Sequence, residues 1–369
     1  MRKSPQKLDS IQALRAVAAL AVVLGHIAQL EMRFLPDPVL GPYWLFGFSG
    51  VDLFFVISGF VMVHVTRGID GASGHQAGRF LFARVTRIYP PYWLFTLIAL
   101  AGLVLVPGIG SRGLDDVSLW GSFLLIPDRS LPILPVGWTL VHELYFYIVF
   151  SALLFVPRRF LPAALVIWMA IVLLGDRTGI RVAHAGVNLV FNPLTIEFGM
   201  GCALALLRPR GGRIAALIAI VVSIITLCVA AWFISPQSPL EMPEDWLRVV
   251  TQGFPCALLV YAVLTLERIG DFRSPRFLVV IGDWSYSLYL SHVLVLLAGT
   301  WLWGRFVPDL GPVDNLAMIA LGVVGTVAVS GVTYRLFEKP VLALFHQWRD
   351  RLFPVRPVVA AENKDDRVW

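Results

Sequence analysis

The sequence predicts an all-α fold, a polytopic transmembrane helical bundle of about ten spans with both termini cytoplasmic. Three observations carry this. Hydrophobic residues make up 57% of the 369 positions and charged residues only 15%, against roughly 25% charged in a soluble domain. The charges are clustered, with apolar runs between them long enough to cross a bilayer. The basic residues are distributed unevenly: with the N-terminal side taken as inside, inside segments carry 21 Lys and Arg and outside loops 6, with Arg15, Arg248 and Arg335 at or within spans. Cytoplasmic loops carry that excess in membrane proteins, and an odd number of spans would spoil the asymmetry.

Ten apolar segments lie near residues 11–30, 45–66, 88–106, 137–156, 161–175, 187–207, 213–234, 248–266, 284–303 and 314–337. The first follows Met1-Arg2-Lys3 and superficially resembles a signal peptide. Arg15 interrupts its apolar core and no small-residue cleavage site follows, so it reads as a retained span. The fifth is short and starts at Pro162, which makes it the weakest of the ten. Loop 107–136 holds Asp115, Asp116 and Asp128, and loop 235–247 holds Glu241, Glu244 and Asp245. Both face outside and read equally as the border of a substrate entrance or as solvated surface. Residues 8–340 form one transmembrane unit, followed by a cytoplasmic tail, 341–369, that reads as disordered from about Arg349. Cys202, Cys228 and Cys256 fall within apolar runs and read as buried small hydrophobes outside any disulfide framework. The net charge of +6 is a topology signal, not the footprint of a nucleic-acid binder.

Ionisable groups at membrane depth are functional candidates by default. Arg15 and His26 stand eleven residues apart in the first segment. At 100° per residue they share a helix face, about 16 Å apart in depth. Orientation then gives two layers. Arg15, Arg84 and Arg87 form a cationic cytoplasmic layer; His26, Asp52 and Glu143 form an outer layer suited to proton chemistry. Arginine forks suit phosphates. A donor with phosphates at its cytoplasmic end and a reactive group near the outer layer fits both, and acyl-coenzyme A is such a molecule.

Each group also has a plainer reading. Arg84 and Arg87 serve equally as positive-inside anchors, Asp52 as a local backbone partner, and Glu197 as a structural pair with a neighbouring helix. Tyr289 and His292, near the middle of the ninth segment, are positioning or structural groups. His64 and His142 read as packing residues. No short His, Cys or Glu spacing points to a metal.

Six segments in order are similar to a known family. They are Arg15 with His26; Gly50-Val51-Asp52-Leu53-Phe54-Phe55-Val56-Ile57-Ser58-Gly59-Phe60; Arg84-Val85-Thr86-Arg87 with Pro90-Pro91-Tyr92-Trp93; Trp138-Thr139-Leu140-Val141-His142-Glu143-Leu144-Tyr145-Phe146-Tyr147; Ser285-Tyr286-Ser287-Leu288-Tyr289-Leu290-Ser291-His292; and Phe337-Glu338-Lys339-Pro340. Together they resemble the acyltransferase 3 family of integral membrane acyltransferases, over residues 8 to 340. The resemblance implies transfer of an acyl group, usually acetyl, from cytoplasmic acyl-coenzyme A to a hydroxyl, in a bacterial inner membrane. Implied acceptors are exopolysaccharide, O-antigen and other glycans, and some small molecules such as macrolides. The segments around Arg15 and Asn192 look most like the exopolysaccharide branch.

The implied catalytic set is His26, Glu143 and Asp52. The implied donor-binding set is Arg15, Arg84, Arg87, Tyr92, Tyr289 and His292. Many relatives carry a fused extracytoplasmic SGNH-type domain, and none is expected here, so any periplasmic relay would need a separate partner. A polytopic transporter exporting a glycan or its precursor is the alternative from a different class, and a non-catalytic membrane scaffold a third.

Overall fold

The first helix, α1 (Asp9–Phe34), has Asp9 in its first turn and Arg33 in its last, charges that complement the helix dipole. Alanines and branched aliphatics along it are buried, because α1 is an inner helix. The structure is a computed structural model that describes residues 8–34, 37–106, 117–179, 184–234, 244–307 and 311–354. Of the loop acids singled out in the sequence, Asp115, Asp116 and Glu241 lie outside the described residues.

After a 3-10 helix at Pro42–Phe48 come α2 (Ser49–Val65) and α3 (Gly74–Leu105). A capping box formed by Ser73 and Gln76 starts α3, fourteen residues before the apolar run that marks it in the sequence. Arg84 and Arg87 therefore sit on an established helix and not at its frayed start. Helix α3 continues through Pro90 and Pro91. The short α4 (Leu119–Leu124) is followed by α5 (Gly137–Leu153), α6 (Leu161–Arg177), α7 (Ala185–Val190) and α8 (Thr195–Leu207). The sixth apolar run is thus not one continuous helix but breaks between α7 and α8. Pro193 has no N–H to give the ladder, and the Asn192 side-chain oxygen accepts the Leu194 N–H instead (2.9 Å).

Helix α9 (Arg213–Ile234) is followed by α10 (Asp245–Arg248), a π-turn at Val249–Gly253 and α11 (Phe254–Arg268). Then come α12 (Arg276–Phe306), α13 (Pro312–Thr333), a second π-turn at Tyr334–Glu338 and α14 (Lys339–Leu352). Helix α14 extends past Arg349, so the start of the segment expected to be disordered is helical. It is pinned to α3: Arg79 pairs with Asp350 (2.8 Å) and donates to the Phe353 carbonyl (2.7 Å).

Among the described residues there is no strand, and nine helical stretches are long and apolar enough to cross a membrane. They include the stretch Arg158–Arg177, which contains α6, the weakest segment in the sequence. The segment that falls short is α5, with 17 residues. The chain is a multi-pass membrane protein of helical-bundle type.

The principal contacts pair α1 with α12, α2 with α8, α12 with α13 and α9 with α11. The α2–α8 crossing is a backbone contact. A Cβ on Gly59 would lie 2.0 Å from the Phe198 carbonyl oxygen, and one on Gly201 1.9 Å from that of Val56. Small residues allow such close helix approach in membranes, where packing drives association. This contact brings Asp52 and Ser58 of α2 into the middle of the bundle. Large apolar side chains of α9, such as Ile214 and Trp232, face outward. Of the three free cysteines, Cys202 and Cys256 are buried; Cys228, expected to be buried, is exposed on this outward helix.

Candidate active site

A cavity of about 110 Å³ opens between α1, α2, α3, α5 and α12. Its charged lining is Arg15, Arg84, Arg87 and Glu143, which three helices, α1, α3 and α5, bring from widely separated positions. Ser58, Tyr147, Tyr286 and Tyr289 add hydroxyls, and Phe54, Phe55 and Ile88 supply apolar wall.

The three arginines differ in how they are held. Arg87 is anchored by an ion pair with the fully buried Glu338 (2.7 Å) and lies over the Tyr286 ring (5.4 Å). Glu338 in turn accepts from Ser287. Arg84 lies over the Phe80 ring (5.9 Å), and its Nε has no partner among the described residues. Arg15 lines the cavity from the second turn of α1 without a hydrogen bond or ion pair among the described residues. Half-buried guanidinium groups without protein acceptors leave donors available to an anionic ligand.

Glu143 belongs to this cavity. Its Oε1 accepts from Ser58 Oγ (2.9 Å) and from the Tyr147 hydroxyl, so both its position and its rotamer are set. Tyr147 lies four residues on, one helical turn away. That spacing, and the place of Ser58 in the quoted α2 segment, were the available sequence signals for these two residues. Tyr289 also reaches the cavity, with its hydroxyl 2.8 Å from Thr139 Oγ1.

The outer layer expected from sequence divides three ways, since Glu143 stands with the arginines. Asp52, fully buried, binds Arg248 through both oxygens (2.8 and 3.0 Å). Arg248 also lies over the Trp138 ring (5.5 Å). Glu197 is buried against Gly253 of the π-turn. Asp245 accepts from the Asn192 amide (3.1 Å), so this loop acid is packed into the bundle. In the sequence Arg248 carried only a topology count; its burial depends on the α10–α11 turn meeting α2.

His26 does not line the cavity. Its Nδ1 is 3.0 Å from the Val22 carbonyl oxygen and 3.2 Å from Nε2 of His292. The two imidazoles meet edge to face, 4.7 Å apart, and Phe48 meets His26 likewise at 4.7 Å. Two wall residues of the cavity link it to the histidine pair: the Phe54 and Tyr289 rings meet edge to face (5.8 Å), and Tyr289 lies 5.8 Å from the His292 ring. Tyr92 stays outside the cavity. It is fully buried and its hydroxyl donates to the Ser122 carbonyl (2.7 Å), tying α3 to α4.

Among the described residues, no group of three or more His, Cys, Asp or Glu is arranged to hold a metal ion.

Comparison with known proteins agrees with this architecture. Residues 8–335 match the family described as acyltransferase domain, Acyl_transf_3. The exopolysaccharide production protein ExoZ of Rhizobium meliloti is 34% identical over 275 residues, covering 72% of this chain and 81% of that protein. Acyltransferase MdmB of Streptomyces mycarofaciens is 28% identical, covering 93% of this chain and 94% of its own. Peptidoglycan O-acetyltransferase OatA of Listeria monocytogenes is 25% identical over 92% of this chain, which spans only 56% of OatA. No solved structure matches. A family match over nearly the whole membrane bundle places the chain by more than a local motif: it belongs to the acyltransferase 3 family of integral membrane acyltransferases.

Proposed function

We propose that this acyltransferase moves an acetyl group from cytoplasmic acetyl-coenzyme A to a hydroxyl of a glycan. The observation that carries the reading is the cavity in which Arg15 and Arg84 present guanidinium groups without protein acceptors, beside an anchored Arg87 and a fixed Glu143. A purely structural set of buried charges would be paired, because an uncompensated buried charge is strongly destabilising. Free guanidinium donors lining a narrow cavity match the phosphates of coenzyme A. Arg87, already bound to Glu338, orders the wall and contributes charge.

The thioester arm extends past Phe54 and Tyr289 towards His26. Nε2 of His26 removes the proton of the acceptor hydroxyl as its oxygen attacks the thioester carbon. The new C–O bond forms, the C–S bond breaks, and the coenzyme A thiolate leaves and takes up the proton. Such general-base catalysis contributes about 10²–10⁴-fold. Glu143, held by Ser58 and Tyr147, balances the arginines and aligns the arm. Asp52, occupied by Arg248, acts on the shape of the bundle and not on substrate.

The protein sits in the bacterial inner membrane with both termini cytoplasmic, which puts the arginines on the coenzyme side. The relatedness to ExoZ makes an exopolysaccharide sugar the first acceptor to test. Membership of an acyltransferase family favours this reading over glycan export. The test is radiolabelled acetyl-coenzyme A with purified protein and an isolated glycan fraction. His26→Ala is expected to abolish transfer to the glycan; transfer at the wild-type rate would refute the assignment.

A further inference from the structure

We infer that His292 is a positioning residue that holds His26 in the tautomer with a proton on Nδ1 and a free lone pair on Nε2. The inference rests on the reading of His26 as the base, and it adds how that base is made ready.

The argument starts from two backbone carbonyls, which can only accept hydrogen bonds. The Leu288 carbonyl oxygen lies 3.2 Å from His292 Nδ1, so that nitrogen carries the proton. In the neutral ring His292 Nε2 is then an acceptor. The Val22 carbonyl oxygen lies 3.0 Å from His26 Nδ1, so His26 is also protonated there. The remaining contact, His26 Nδ1 to His292 Nε2 at 3.2 Å, thus has one donor and one acceptor. The Nδ1 proton of His26 is shared between Val22 and His292, and Nε2 of His26 keeps its lone pair.

The surroundings hold this arrangement. His292 is fully buried on α12, the helix that α1 packs against most extensively. Turning the His26 ring over would exchange Nδ1 for a carbon and lose both hydrogen bonds. Phe48 meets the ring edge to face and restricts that turn. The nitrogen bonded on one side of an imidazole sets the chemistry of the other. When Nε2 takes a proton, the resulting cation is already donating to His292 and Val22, and that bond strengthens as charge develops. No second proton moves.

The test combines a spectrum with kinetics. The full chain, labelled with ¹⁵N-histidine and held in lipid nanodiscs, is read by nitrogen NMR at neutral pH, with His26→Asn used to assign the signals. Wild-type His26 is expected with its proton on Nδ1. In His292→Phe the ring volume remains but the acceptor is gone. His26 then keeps only the Val22 carbonyl as acceptor for its Nδ1 proton and is expected to populate the second tautomer in part, and the kcat for transfer from labelled acetyl-coenzyme A should fall about 10- to 100-fold, part of what a general base contributes. KM for the donor should stay within about twofold. His292→Gln, whose side-chain oxygen can accept, is expected to restore the tautomer and most of kcat.

A proton on Nε2 in the wild type would overturn the inference. So would an unchanged tautomer in His292→Phe, whatever its kcat, because the residue would then be structural. The base reading fails separately, if His26→Ala transfers at the wild-type rate; the nitrogen spectrum still decides the pairing.

Discussion

Asp52 and Arg248 form a two-point ion pair across 196 residues of sequence, with both side chains at most 3% exposed. The pair locks the start of α2 to the end of α10, next to the buried Glu197. Its worth lies mainly in what happens when half of it is lost, since the remaining buried charge then lacks its two-point partner.

Asp52→Asn is therefore expected to destabilise the protein by about 3–5 kcal/mol. Asp52→Asn combined with Arg248→Met should recover much of that loss. Thermal unfolding of detergent-purified protein, followed by size-exclusion chromatography, measures both. A single variant as stable as wild type would remove this pair from the architecture.

The cavity arginines predict a different phenotype. Arg15→Ala and Arg84→Ala each remove a charged donor with no protein acceptor to orphan. Loss of a hydrogen bond to a charged group costs about 1.5–3 kcal/mol, so KM for acetyl-coenzyme A should rise roughly 10- to 150-fold, with little change in stability. Arg87→Ala should lose stability as well, because Glu338 is left buried without its cation. Initial rates against donor concentration, set beside melting curves, separate the two classes.

The α2–α8 crossing predicts sharp intolerance at one glycine and tolerance at another. Gly201→Val would drive a side chain into the Val56 carbonyl, and overpacking costs about 1–3 kcal/mol or more. Gly102→Ala, with nothing within 4 Å of the new Cβ, should be neutral. The yield of monodisperse protein after extraction reads this contrast.

Helix α5 decides the topology. Its 17 residues span about 25 Å, a little less than the roughly 30 Å hydrocarbon core. Local thinning of the bilayer accommodates that mismatch. We expect α5 to cross, which places the turn at residues 154–160 on the cytoplasmic side with Arg158 and Arg159. Cysteines introduced in that turn should resist a membrane-impermeant maleimide in intact spheroplasts and react after lysis. Labelling in intact spheroplasts would give an odd count of spans and put the two termini on opposite sides.

Fold class, the helical segments and the grouping of Arg15, Arg84 and Arg87 were legible in the sequence. Apolar run length and basic-residue asymmetry respond directly to the bilayer, and a helix places residues by a fixed angle and rise. Arg15 and His26, eleven residues apart on α1, also part company in the structure: Arg15 lines the cavity and His26 does not. Depth alone does not say which residues at one level touch. His26, Asp52 and Glu143 looked like one group because they share a layer, and the structure gives each a different partner: His292, Arg248, and Ser58 with Tyr147.

Those partners depend on how the helices are rotated and which neighbours they meet. The glycine-mediated α2–α8 approach, the π-turn beside Arg248 and the packing of α1 on α12 set these. Each is a packing decision made by side-chain volume and backbone geometry between distant segments, not by local periodicity. By itself, the sequence determined a bundle of apolar helices with costly charges inside it. Only the tertiary structure decided that the carboxylate of α5 faces the arginines while the histidine of α1 faces another histidine, because facing depends on helix rotation about an axis that hydropathy does not encode.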